Sequence, residues 1–238
     1  MLCGGRGTRL RERTESVPKA LVEIGGRPIL WHVVQIYAAQ GFRRFLLATG
    51  YMGEAVAEFA AAERWPDGVE VECVETGLDT PTGGRIAALA PRLQGGTFCA
   101  TYADGVADVD LGALLEFHRG HGDLATLTVV RPHLQWGVAE LGEGDRVSGF
   151  AEKPRSEHWI NGGFLCFEPG ALDYLDIESV LEREPLRNLA AEGRLHAYRH
   201  QGFWDCMDTY KDAVTLNDLW ASGEAPWRIW DAAGVEPA

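Results

Sequence analysis

The sequence predicts an α/β fold, a doubly wound and mostly parallel sheet, and three observations predict it. Segments of helical period alternate with short apolar runs in a β-α-β-α-β succession over the first 75 residues. Phe45-Leu46-Leu47-Ala48 is apolar without alternation, as a strand covered on both faces requires. The chain has 238 residues, 46% of them hydrophobic, enough for one large α/β core without a second domain.

Taken in order, Met1-Leu2-Cys3 is a short stub for the buried strand expected ahead of the loop that follows, and the expectation is that the true start lies upstream. Pro28 opens a helix to about residue 40, stopped by Gly41, with Ile29, Leu30, Val33, Val34, Ile36 and Tyr37 on its buried face. A strand over 45–48 and a helix over 54–63 come next, and 69–74 alternates like a strand wet on one side. The polar loop 76–84 leads to a helix starting near Arg85, with Thr82 as its N-cap. Strands follow over 97–102 and 124–130, separated by a helix from Leu111 that Asp108 or Asp110 caps. Gly142-Glu143-Gly144-Asp145 turns a hairpin between 136–141 and 147–150, a small annex to the sheet. A strand over 159–167, helices over 169–175 and 185–192, a short strand over 195–198 and a helix over 210–220 complete the body. Trp227 and Trp230 mark the tail from residue 221 as an apolar strap that docks on the body or on another subunit.

Three glycines in four positions, Gly4, Gly5 and Gly7, leave a backbone free to turn several N–H groups into one concavity. Arg9 adds a fork for phosphate and Lys19 a compact charge. Lysine occurs only at 19, 153 and 211, in a chain whose other basic residues are all arginine. The loop reads as a triphosphate cradle, against the plainer alternative of a glycine-rich surface turn. A dinucleotide-binding loop fits poorly: there is no third glycine of the fingerprint, and a cation stands where its acid belongs.

A net charge of −13 argues against a nucleic-acid or anionic-membrane surface. The basic residues at 6, 9, 11, 13 and 19 instead suit a small anionic ligand. Five cysteines at 3, 73, 99, 166 and 206, with no CxxC pair, point to a reduced cytoplasmic chain without disulfides or a zinc site. No apolar run reaches membrane-spanning length and no signal peptide precedes the loop. His32, His118, His121 and His200 follow no ligand spacing.

GGRGTRL followed by PKALVEIGGRPILWH resembles the signature of sugar-phosphate nucleotidyltransferases. TGLDTPTGGR, YADGVAD, FAEKPR, WINGGF and GFWDCMDT, in this order, resemble the glucose-1-phosphate cytidylyltransferase branch, from residue 1 to about 227. The resemblance implies one nucleotidyltransferase domain over 1–238, with a nucleotide-binding half to about 110, a sugar-binding half over 111–220 and the strap 221–238. It implies CTP and a sugar 1-phosphate as substrates, Mg²⁺ as cofactor and a homo-oligomeric state; the stretch between Phe59 and Val69 is shorter than the family's, so the resemblance does not carry over any oligomer contact made by the missing segment.

Residue by residue, the resemblance places Arg9 and Lys19 on the phosphates in the catalytic step. It places Leu2, Gly4, Gly5, Gly7, Thr8, Thr82, Gly84 and Arg85 around the nucleotide, with the Arg85 fork facing cytosine O2 and N3. Asp104 and Asp208 become the metal ligands, Asp208 rather than Asp205 because the family has no acid at the earlier position. Glu152, Lys153, Asn161 and Gly162 become the sugar-phosphate site. Each has a plainer reading on its own residues: Asp104 ends a strand, Asp208 stands near a helix N-cap, Glu152-Lys153 is a solvated pair, and Asn161-Gly162 opens a strand. Two alternatives stay open: the same transfer from UTP or dTTP or to another sugar phosphate, and a non-catalytic nucleotide-sugar sensor.

Overall fold

The structure is a computed structural model, and it describes residues 1–5 and 17–232. In chain order the elements are β1 (Glu23–Ile24), β2 (Arg27–Pro28), α1 (Ile29–Ala39), β3 (Arg44–Thr49), α2 (Gly53–Ala62), β4 (Glu70–Glu75), α3 (Thr82–Ala88), α4 (Ala90–Leu93), β5 (Phe98–Thr101), β6 (Gly105–Ala107), α5 (Leu111–His121), β7 (Ala125–Val130), β8 (Val138–Leu141), β9 (Val147–Ala151), β10 (Ile160–Phe167), α6 (Glu184–Ala191), β11 (Leu195–Arg199), β12 (Trp204–Cys206), α7 (Tyr210–Ala221) and α8 (Ile229–Ala232).

The stub at the amino end holds the centre of the sheet together. Leu2 bridges Ala48 at the end of β3 and Tyr102 just past β5, parallel to both. Its N–H donates to Thr101 O at 2.9 Å, and Cys3 N–H to Ala48 O at 3.0 Å. On one side β3 pairs parallel with β4. On the other, β5 pairs with β10, β10 with β7 and β7 with β11. Strand β10 is antiparallel to both neighbours and β11 is parallel to β7, so every position but β10 runs one way. The sheet is mostly parallel, as its apolar runs predict.

Helix α1 departs from a one-faced pattern: Ile29 through Ala38 are all buried, His32 and Gln35 included. Its outer side is covered by the C-terminal segment, where Trp227 and Trp230 are buried. Trp230 lies edge-on to Trp31 at 5.6 Å between centroids, and Trp227 lies 6.2 Å from His32. The strap therefore docks on the body. Burial pushes the His32 imidazole down to about 4. Its Nε2 lies 2.9 Å from Ile24 O, and the ring fills a place between aromatic faces.

Two small ribbons are not visible in the sequence pattern. β1 and β2 turn through Gly25 and Gly26 at positive φ, and a Cβ on Gly25 would lie 2.0 Å from the Trp220 ring. β6 pairs antiparallel with β12, Gly105 opposite Cys206, which sets Asp104 just before one strand beside Asp208 just after the other. The expected annex is present, β8 paired with β9 and exposed along both strands except at half-buried Gly149.

One cap falls where expected and two do not. Asp110 caps α5, its carboxylate accepting from Ala113 N–H at 2.8 Å. Thr209, not Asp208, caps α7 in a reciprocal box with Asp212. Thr82 is not a cap: its hydroxyl donates to Glu182 at 2.7 Å and accepts from Leu181 N–H at 3.0 Å, which pins α3 to the segment before α6.

Candidate active site

Ligands of open α/β sheets bind beyond the carboxyl ends of the strands, where the order reverses. Here that place is between the end of the Leu2 stub and the end of β5. A cavity of about 440 Å³ opens there, lined by Leu2, Gly4, Gly5, Lys19, Thr80–Thr82, Arg85, Tyr102, Asp104 and Asp208 among others. Residues 85 and 189 positions apart in sequence meet in it. Lys19 Nζ donates to Asp104 Oδ2 at 2.5 Å and to Asp208 Oδ1 at 2.6 Å. Burial works to lower the Lys19 pKa, and the two carboxylates outweigh it and hold it above the ordinary value. The three side chains are 16%, 27% and 35% exposed, open enough for a ligand to reach them.

Two carboxylates aimed at one point from different elements suit a hard divalent cation that takes oxygen ligands and leaves room for phosphate and water. That donor set fits Mg²⁺. One other cluster of possible ligands exists among the described residues: His121, Asp123 and His196, with one ligand atom of each within 4.8 Å of the others. It lies at the amino ends of β7 and β11, the opposite edge of the sheet from the cavity. Its imidazoles stack at 4.0 Å, and His196 Nε2 lies 2.6 Å from Asp123. Nitrogen-rich sets favour borderline metals over Mg²⁺. The parallel pairing of β7 with β11 brings these residues together, so sequence spacing could not show them.

Residues 1–223 match the nucleotidyl transferase family. The chain belongs to that family. It is similar to a nucleotidyltransferase of Salmonella typhimurium named glucose-1-phosphate cytidylyltransferase, 39% identical over 97% of this chain and 98% of the relative. A Bacillus subtilis relative named probable glucose-1-phosphate cytidylyltransferase is 38% identical over 97% of this chain and 98% of its own length. In fold it resembles the crystal structure of HddC from Yersinia pseudotuberculosis, with a TM-score of 0.73 at 20% identity, covering 92% of this chain and 97% of that one.

As a nucleotidyltransferase, the chain arranges several expected residues differently from their sequence reading. Arg85 is the main case. Its guanidinium is buried, with Nη1 donating to Thr49 O at 2.8 Å, Thr76 Oγ1 at 2.7 Å and Gly77 O at 3.0 Å. Nη2 donates to Gly4 O at 3.0 Å and Leu78 O at 3.4 Å. Both terminal nitrogens are engaged by protein acceptors, and through them Arg85 ties the glycine loop to the loop after β4. Gly84 packs on the segment before α6: its N–H donates to Ser179 O at 2.9 Å, and a Cβ there would lie 2.1 Å from Ile177 O. A Cβ on Gly162 would lie 3.0 Å from Val130 and 3.2 Å from Thr128 O.

Glu152 and Lys153 lie outside the cavity wall, 64% and 52% exposed and 3.6 Å apart, at the end of β9. Asn161 reaches the wall indirectly, its amide donating to the Tyr102 hydroxyl at 3.2 Å. Tyr102 was not singled out from sequence. It lines the cavity and donates to Glu182, and Gly163 stays side-chain-free because its Cβ would sit 2.6 Å from the Tyr102 ring. The signal available was its place two residues before Asp104 at the end of a buried strand. Asp205 lies outside the cavity wall, accepting from Cys206 N–H at 2.8 Å. Gly7, Thr8 and Arg9 lie outside the described residues.

Proposed function

We propose that the chain transfers a cytidylyl group from CTP to glucose 1-phosphate, forming CDP-glucose and pyrophosphate. The observation that carries the reading is the meeting of Asp104, Lys19 and Asp208 at the carboxyl edge of the sheet, beside the Gly4-Gly5 backbone. Two relatives at 38% and 39% identity that bear the cytidylyltransferase name support the choice of substrates.

The incoming sugar phosphate is an anion at neutral pH, and one of its oxygens attacks the α-phosphorus of CTP. The new P–O bond forms as the bond to the β-phosphate breaks, and the pair of electrons leaves with pyrophosphate. No general base is needed. The protein's part is to hold the reactants in line and offset the phosphate charge. Asp104 and Asp208 would hold Mg²⁺, which supplies Lewis-acid stabilisation of the phosphate oxygens. Lys19 meets the α-phosphate, and Arg9 with the glycine-loop N–H groups meets the β- and γ-phosphates. Lys153 receives the sugar phosphate and Glu152 and Asn161 the sugar hydroxyls.

Base choice falls to backbone groups near Leu2 and Gly4 and in the Thr80–Gly84 loop, held in place by Arg85. A homo-oligomer in the cytoplasm belongs to the same reading, and sedimentation of the purified chain reads the oligomeric part. The activity test is pyrophosphate release from CTP, UTP, dTTP and GTP against a panel of sugar 1-phosphates. The expected result is turnover with CTP and glucose 1-phosphate well above every other pair. Asp104→Asn and Asp208→Asn should each lower that turnover by roughly 10²-fold or more while leaving the fold intact. Near-normal turnover in either variant removes that residue from the site.

A further inference from the structure

The two carboxylates that suit a metal ion already share a cation, and it is tethered. We infer that Lys19 is a built-in counter-ion that keeps the Asp104–Asp208 position closed to a divalent cation until a triphosphate draws its ammonium away. The inference rests on the reading of these two aspartates as metal ligands.

The geometry supports it directly. Lys19 Nζ lies 2.5 Å from Asp104 Oδ2 and 2.6 Å from Asp208 Oδ1, one nitrogen shared by one oxygen of each acid. Mg²⁺ would sit about 2.1 Å from its oxygens, so at these two atoms it competes with the ammonium for the same position. The contact is partly shielded, with the Lys19 side chain 16% exposed and the two carboxylates 27% and 35%, so solvent screens it only in part. Local backbone holds the lysine there. Pro18 is extended at φ −62°, and Lys19 starts a single 3₁₀ turn closed by Leu21 N–H to Pro18 O at 2.8 Å, with Ala20 buried beneath. The stem lines the same cavity as Gly4 and Gly5, beside which a triphosphate would lie.

Without the ammonium, the two acids would lose the cation they share and attract a dication more strongly. With it, a free dication must break two charge-assisted bonds to enter. A triphosphate changes the balance, because it offers the lysine a competing anion and the metal further oxygen ligands. Metal and nucleotide then enter as a coupled pair. Linkage makes the coupling reciprocal: a ligand that releases Lys19 tightens the metal by the factor by which the metal tightens it. The arrangement also prevents the apo protein from holding a metal that blocks the nucleotide's approach.

The experiment is Mn²⁺ binding to the full chain, read by the loss of the free-ion electron paramagnetic resonance signal. It is run without nucleotide and with a non-hydrolysable CTP analogue. Lys19→Met, which removes the charge and keeps the stem, should tighten nucleotide-free Mn²⁺ at least tenfold, and Lys19→Gln should do the same. Lys19→Arg keeps the charge and should leave binding weak. In Lys19→Met/Asp208→Asn the gain should vanish. If neither neutral variant binds Mn²⁺ more tightly than the wild-type chain, the inference is wrong, whatever the activity. The underlying reading has its own arm: if Asp104→Asn and Asp208→Asn leave Mn²⁺ binding with the analogue unchanged, the aspartates are not the ligands. Circular dichroism on each variant confirms that the comparison is between folded chains.

Discussion

The guanidinium of Arg85 lies where a side chain on Gly4 would be. A Cβ built on Gly4 would stand 2.1 Å from Arg85 Cζ, and Arg85 Nη2 donates to Gly4 O at 3.0 Å. Gly50 is bare for the same reason, its Cβ position 2.5 Å from Nη1. One arginine thus sets the spacing between the glycine loop, the end of β3 and the loop that opens α3.

Gly4→Ala must push that guanidinium off several of its acceptors while it stays buried. Leaving buried hydrogen-bonding groups unpaired costs about 1–3 kcal/mol each, so the expected loss is about 2–4 kcal/mol. For a chain of this size that lowers Tm by roughly 5–15 °C, read by differential scanning calorimetry. A Tm within a degree or two of wild type would mean that the loop relaxes freely around the arginine.

Arg85→Lys separates positioning from base contact. An ammonium has three donors and no planar fork, so it cannot bridge the five acceptors that Arg85 serves. A positioning role predicts a lower Tm together with a fall of about tenfold or more in kcat/KM for CTP and UTP alike. A direct contact to the base would instead narrow the CTP/UTP ratio with Tm unchanged, and that pattern would restore the fork to the base.

The two lysines should divide binding from chemistry. Lys19 lines the cavity, whereas Lys153 is half exposed at the end of β9. Lys19→Ala should chiefly depress kcat, because charge on the α-phosphate is redistributed in the transition state. Lys153→Ala should raise KM for the sugar phosphate more than for the nucleotide. Steady-state kinetics with each substrate varied in turn checks both, and the reverse pattern would exchange their roles.

Asp205 provides a pH test away from the cavity. Burial pushes its carboxyl up to about 6, from an ordinary value of 3.8. The folded chain therefore holds a proton there that the unfolded chain has lost between about pH 4 and 6. Stability falls as pH rises through that window and stays lower above it. Asp205→Asn removes the charge and keeps an oxygen for Cys206 N–H. The variant should match wild type near pH 4 and be more stable at pH 7.5 by about 1–3 kcal/mol, at ~1.4 kcal/mol per pKa unit. Urea melts at both pH values read it; an equal difference at both would assign the effect to packing.

The sequence by itself determined most of the element positions. Helix α1, strands β3, β5 and β7, and helix α7 follow expectation within a few residues, because apolar period and turn chemistry are local records of what must be buried. It also singled out Lys19, as a rare lysine after a glycine-rich loop, and Asp104 and Asp208, through motifs that resemble a family rather than through any visible contact. Only the tertiary structure decided whom the polar side chains meet. The β6–β12 ribbon that sets Asp104 beside Asp208 spans about a hundred residues, and a three-residue strand has too little pattern to announce its partner. Arg85 shows the same limit. A pattern says that an arginine is present, but its five acceptors come from the backbone or side chains of residues 4, 49, 76, 77 and 78. A buried cation takes whichever oxygens the fold brings within reach, because leaving it unpaired costs more than any local preference supplies.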